Sequence, residues 1–250
     1  MSKIGVGIQL YSVRKAAAAD LPAVLKGVKA MGYEAVEFAG YYGRTAYELK
    51  KLLDENGLKC CGTHNGIDAF QGDNFRKTVD FHKIIGCEYP IVAWINDDMR
   101  KSVAALGASA KLFNEIAEKL KPFGMKTGYH AHGGDFAKMN GGRTQWEILF
   151  GSTCSDVVMQ MDCGNCMQGG GDPLALMKQL PGRSESVHLK EFGGPHGAVV
   201  GEGKVDWKGI FEFCSTIGGT KWYVVEHEVE GIDSMEAIAK FREGLRKFGI

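Results

Sequence analysis

Val6-Gly7-Ile8-Gln9-Leu10-Tyr11-Ser12-Val13-Arg14 lies near the start of the 250-residue chain, and its reading separates two architectures. Val6–Leu10 is a short apolar run, as expected of a strand buried on both faces. The turn that follows is the discriminating part. An open, doubly wound sheet usually carries a glycine-rich phosphate turn after its first strand. Gln9-Leu10-Tyr11-Ser12-Val13-Arg14 contains no glycine. The other common home for parallel strands is a closed eight-stranded barrel.

Seven more short runs follow: Ala35–Phe38, Leu58–Thr63, Tyr89–Trp94, Met125–His130, Val157–Met161, Ser186–Leu189 and Trp222–Val225. Amphipathic stretches separate them. Asp20, Thr45 and Asp233 are N-cap candidates, Pro173 suits the first turn of a helix, and Gly32, Gly57 and Gly86 are stops. Helices are expected from Asp20 to Met31, Thr45 to Leu53, Phe75 to Ile84, Ser102 to Lys121, Thr144 to Phe150, Pro173 to Leu180, Val205 to Ile217 and Asp233 to Phe248. Strand–helix alternation requires parallel strands. With no Pro/Ser-rich linker, residues 1–250 read as one α/β domain, a (β/α)8 barrel.

Composition narrows the function classes. Lys plus Arg is 30 and Asp plus Glu is 30, so nothing global attracts nucleic acid or an anionic membrane. No apolar run is long enough to span a bilayer. The absence of an apolar leader and seven irregularly spaced cysteines suggest a cytoplasmic protein with reduced thiols.

In a barrel of this kind, chemistry sits at the C-terminal ends of the strands. Those ends carry Glu37, His64, His130, His132, Asp162, His188, Lys190, Glu226 and Glu228. Five of the seven histidines lie at or just beyond them. Converging imidazoles and carboxylates are a divalent-metal donor set. A metal-free polar ring is the alternative. Residues two apart share a face, which pairs His130 with His132, His188 with Lys190 and Glu226 with Glu228. His227 should face the helices instead. Cys163-Gly164-Asn165-Cys166 lacks a second cysteine pair, so it reads as packing beside Asp162. Gly169-Gly170-Gly171 reads as a turn more readily than as a phosphate cradle.

Taken together, these pieces resemble the sugar phosphate isomerase/epimerase superfamily, the xylose isomerase-like barrels. The resemblance rests on Gly7–Arg14, Gly32–Gly40, Gly128-Tyr129-His130-Ala131-His132, Met161–Asn165, Val187–Phe192, Val200–Trp207 and Trp222–Glu228. It implies one divalent metal (Mn, Zn, Co, Fe, Ni or Mg) held by His130, Asp162, His188 and Glu226. Many members have Glu where His130 stands, so this chain falls in a Tyr-His-x-His branch. That exchange reduces the ligand charge and favours softer ions.

Family epimerases use two metal-bound glutamates as acid and base on either side of a carbon next to a carbonyl. Only Glu226 remains here. It is expected to act as base, with Lys190 as proton donor or oxyanion partner and His132 as a further acid/base. His64 and Glu37 are expected at the substrate, and Tyr11, Trp94 and Trp207 as flat surfaces for a sugar ring. The expected reaction is isomerisation or epimerisation of a sugar, keto-sugar or polyol through an enediolate. The alternative is a lyase or dehydratase acting on a keto-sugar, keto-inositol or 3-keto-glycoside. A non-catalytic sugar-binding barrel is a third reading. Small carbohydrates are the expected partners, and relatives of this kind often form homo-oligomers. DNA repair fits poorly with zero net charge and so few ligands.

Overall fold

The computed structural model describes residues 3–139 and 141–250. Eight parallel strands close into a barrel in chain order. They are β1 (Gly5–Gln9), β2 (Ala35–Ala39), β3 (Lys59–Gly66), β4 (Pro90–Trp94), β5 (Gly128–His130), β6 (Val158–Asp162), β7 (Ser186–Leu189) and β8 (Trp222–Val225). β1 closes the ring on β8 with Gly5 opposite Trp222 and Ile8 opposite Val225. The helices are α1 (Arg14–Ala30), α2 (Ala46–Asn56), α3 (Asn74–Ile85), α4 (Val103–Leu120), α5 (Gln145–Phe150), α6 (Cys163–Gln168), α7 (Pro173–Gln179), α8 (Trp207–Thr216) and α9 (Ser234–Lys247).

Alternate strand residues turn into the barrel, and the interior changes character along its axis. At the N-terminal end, Trp222 lies across the lumen against Ala35, Cys61 and Val224 and against Tyr89, Ile91 and Val158. Gly5 admits that indole, because any Cβ there would overlap the ring. Further toward the C-terminal end the buried residues become polar: Gln9, Glu37, Gln160, Ser186 and His188. The large apolar core lies outside the sheet, where Ile8, Val36 and Phe38 meet Leu25, Leu49 and Phe241 of the helices.

Two elements differ from the sequence reading. Asp20 does cap a helix, its Oδ1 accepting the Ala23 N–H at 3.0 Å. However, an earlier turn starting at Arg14 joins it across non-helical backbone at Asp20 (φ −152°, ψ 82°). Cys163–Gln168 forms a short helix directly after β6, capped by Asp162. The two cysteines there are buried, free thiols, in line with a packing role. No helix among the described residues is long and apolar enough to cross a membrane.

Candidate metal centre

Strand register brings the chemistry together. His130 ends β5, Asp162 ends β6 opposite His188 of β7, and Glu226 follows β8. One donor atom from each of the four lies within 4.8 Å of the others, and all four residues are buried.

Asp162 is the clearest member. Its Oδ1 accepts the Asn165 N–H at 2.7 Å, capping α6. Its Oδ2 is buried and has no hydrogen-bond partner among the described residues. Burial raises its carboxyl to about 7, although the Lys190 charge opposes this. A buried, unpartnered carboxylate oxygen is costly unless something cationic meets it.

His188 is clamped between two carboxylates. Its Nε2 lies 2.7 Å from Glu37 Oε1 and its Nδ1 2.7 Å from Glu226 Oε2. Burial works against its charge, yet Glu37 and Glu226 together lift its pKa to about 10. Glu226 is buried too, but the His188 hydrogen bond and the Lys190 and His188 charges hold it well below the usual carboxylate range. His130 differs: burial, then the neighbouring His188 and His64 charges, push its pKa far down and keep the ring neutral.

The donor set fits a divalent ion of the zinc, manganese or iron type. It combines two imidazoles with two carboxylates, and it contains the orphaned Asp162 Oδ2. His64, His130 and His188 form a second, overlapping group within the same distance limit.

The other expected site residues divide into those at the mouth and those away from it. Lys190 reaches Glu226 Oε1 at 3.3 Å and also bonds Glu228. Burial opposes its charge, but Asp162, Glu226 and Glu228 keep its pKa above the ordinary lysine value. His132 sits just past β5, its ring edge-on to those of His130 (4.9 Å) and Trp94 (5.3 Å). Burial lowers its pKa to about 4. His64 stacks 5.5 Å from His188. Trp94 and Tyr11 are 49% and 43% exposed, each with an arginine over one ring face: Arg100 at 4.2 Å and Arg14 at 4.1 Å.

Two of the expected substrate residues lie below the surface of the mouth. Glu37 is the deeper one. It is fully buried beneath the site, and both its oxygens are engaged by Gln9, Gln160, His64 and His188. Trp207 is also buried. Its Nε1 donates to Glu191 Oε2 at 2.7 Å and its ring stacks on Phe211, so it braces the loop after β7. His227 faces the helices as expected, against Phe241.

Gln160 and Gln9 were missed. The available signal was a fully polar amide at an inward position of an apolar, doubly buried strand. Gln160 Oε1 contacts His64 Nε2 at 2.8 Å and His130 Nδ1 at 3.1 Å.

Fold and site together define an α/β barrel with a candidate divalent-metal centre at its C-terminal mouth. The profile of the xylose isomerase-like TIM barrel family matches residues 25–248, and the chain belongs to that family. It is 24% identical over 246 residues to the rhizopine catabolism protein MocC of Rhizobium meliloti, covering 82% of this chain and 73% of that one. It is 25% identical over 192 residues to an inosose dehydratase of Geobacillus kaustophilus, covering 67% and 61% respectively. Among solved structures, a sugar phosphate isomerase/epimerase from Parabacteroides distasonis superposes with a TM-score of 0.84 at 24% identity, over 98% of both chains. The IOLI protein with a bound zinc atom superposes with a TM-score of 0.73 at 13% identity, over 98% of this chain and 97% of that one.

Proposed function

We propose that this chain is a divalent-metal-dependent sugar isomerase or epimerase. Its substrate would be a small sugar, keto-sugar or polyol, from which it removes the proton next to a carbonyl. The observation that carries this reading is the buried Asp162 Oδ2, unpartnered within a ring of three further metal-type donors. His130, Asp162, His188 and Glu226 would hold the ion. When bound, it supplies Lewis-acid polarisation of the carbonyl.

The chain's own residues do the rest. Glu226, held ionised, is the candidate base. Lys190, held protonated within 3.3 Å of it, is suited to give a proton or steady an oxyanion. His132, neutral at the rim, is the second acid/base that an epimerase needs on the opposite side. Trp94 and Tyr11 offer flat faces to a ring, and His64 stands between mouth and interior.

A second reading is favoured by one particular observation. Lys190 stays charged between Glu226 and Glu228, and its pairing with Glu226 suits β-elimination. The base would take the proton next to the carbonyl, and Lys190 would protonate the departing β-oxygen. The likeness to inosose dehydratase supports this lyase outcome.

Incubating aldoses, ketoses and keto-polyols with metal-loaded protein in D2O separates the outcomes. Deuterium next to the carbonyl with an unchanged molecular formula marks an isomerase or epimerase. Loss of water or of a larger substituent marks a lyase. No exchange with any of these substrates, despite bound metal, leaves the non-catalytic sugar-binding barrel.

A further inference from the structure

Gln160 lies directly beneath the proposed metal centre and takes no part in the chemistry above. It is fully buried in β6, two residues before Asp162 and on the same face. Its Nε2 lies 2.7 Å from Glu37 Oε2 and 3.0 Å from Ser186 Oγ. Glu37 Oε1 is already met by Gln9 Nε2 and by the Nε2 atoms of His188 and His64, which leaves Oε2 as the acceptor for the Gln160 amide. Turning the amide over would set its oxygen against the Glu37 carboxylate. Two acceptors would then face each other without a proton. The amide therefore has one orientation, with Oε1 toward His130 and His64.

The same polarity follows from the backbone. The Tyr11 N–H donates to Gln9 Oε1 at 3.0 Å, which turns Gln9 Nε2 onto Glu37 Oε1 at 2.7 Å. Glu37 only accepts, so each neighbour must donate to it: Gln9, Gln160, and the Nε2 atoms of His188 (2.7 Å) and His64 (3.0 Å). A carbonyl oxygen likewise only accepts. Gln160 Oε1, 3.1 Å from His130 Nδ1, thus requires a hydrogen on that nitrogen.

We infer that Gln160 is a positioning residue that fixes the His130 ring as its Nδ1–H tautomer, leaving the Nε2 lone pair for a metal. The inference rests on the metal-dependent reading of the site. It explains how an imidazole serves here as a ligand: its outward nitrogen is chosen by an amide that is itself oriented by Glu37. The outer partners of metal-binding histidines select the tautomer and the ring orientation in this way. With methionine at position 160, His130 would have no buried acceptor to choose its protonated nitrogen.

Nitrogen-15 NMR of histidine-labelled, metal-free protein tests this directly, with the His130 signals assigned through a His130→Gln variant. The expected wild-type spectrum has a protonated, pyrrole-type Nδ1 and a pyridine-type Nε2 at His130. Gln160→Met should lose that preference and bind zinc about 10- to 100-fold more weakly, with an unchanged circular dichroism spectrum. A wild-type His130 protonated at Nε2 overturns the inference and leaves the metal centre intact. Equal zinc affinity with an unchanged His130 spectrum in Gln160→Met overturns it as well. A wild type with the expected tautomer but no zinc uptake contradicts the metal reading instead. The wild-type spectrum suffices even if Gln160→Met does not fold.

Discussion

Asp162 uses one carboxylate oxygen as a helix cap and leaves the other unpartnered in a buried ring of donors. Asp162→Asn keeps an acceptor for the Asn165 N–H and removes the charge. It should abolish stoichiometric metal uptake, and it should leave the thermal midpoint of the metal-free protein at pH 8 unchanged or higher, because a buried ionised group is relieved. Direct metal analysis and a melting curve check both halves. The pH behaviour follows from the same groups. Asp162, raised to about 7, and His188, raised to about 10, hold protons that the unfolded chain releases earlier. Their contribution to stability is complete below the unfolded values and fades as pH rises through 7 and then 10. Below about pH 7 the depressed His130 and His132 act in the opposite sense, so metal-free protein should melt at progressively lower temperature between pH 8 and 10, and zinc should reverse the trend. Because binding expels these protons, zinc affinity should rise with pH, with proton release visible by calorimetry in buffers of differing ionisation enthalpy. The four residues that converge were legible in the sequence as polar strand ends, and the family resemblance picked them out as a candidate ligand set. The roles of Glu37 and Gln160 were not legible, because polarity at a strand end says nothing of depth. The Gln9–Glu37 pairing places Glu37 inside the barrel, where four donors use up its oxygens.

At the level of elements, the loops and helix starts after the strands carry the fine placement. A Cβ at Gly164, in the first turn of α6, would lie 2.8 Å from Lys190 Cγ and 2.9 Å from the Lys190 carbonyl oxygen. Gly164→Ala should cost about 1–3 kcal/mol in stability by chemical denaturation and displace Lys190 from Glu226. Its effect on turnover should resemble that of Lys190→Met, a fall in kcat of about 10²- to 10⁴-fold with a smaller change in KM. Thr45→Ala provides a contrast. Thr45 and Glu48 form a complete capping box at the start of α2, bonded to each other rather than to any candidate ligand. Its loss should cost about 1 kcal/mol and leave metal affinity unchanged. Elements were the most legible scale in the sequence. Capping residues, glycine stops and apolar runs gave all eight strands and most helices. The turn from Arg14 to the Asp20 break and the short helix α6 escaped, since neither shows a sustained helical period.

For the whole molecule, the barrel divides its lumen between an apolar base under Trp222 and a polar upper layer of Gln9, Glu37, Gln160, Ser186 and His188. Trp222 packs the base, and Gln160 of the upper layer contacts His64 and His130 above it. Zero net charge conceals this local concentration of carboxylates and imidazoles. The candidate metal site sits on that polar layer, and the proposed chemistry depends on it. Elemental analysis of the purified chain, reconstituted with divalent metal and desalted beside an Asp162→Ala control, tests it most directly. About one divalent ion per wild-type chain and none in the control is the predicted result. Wild-type protein that retains no divalent metal under conditions where it is folded would contradict the account.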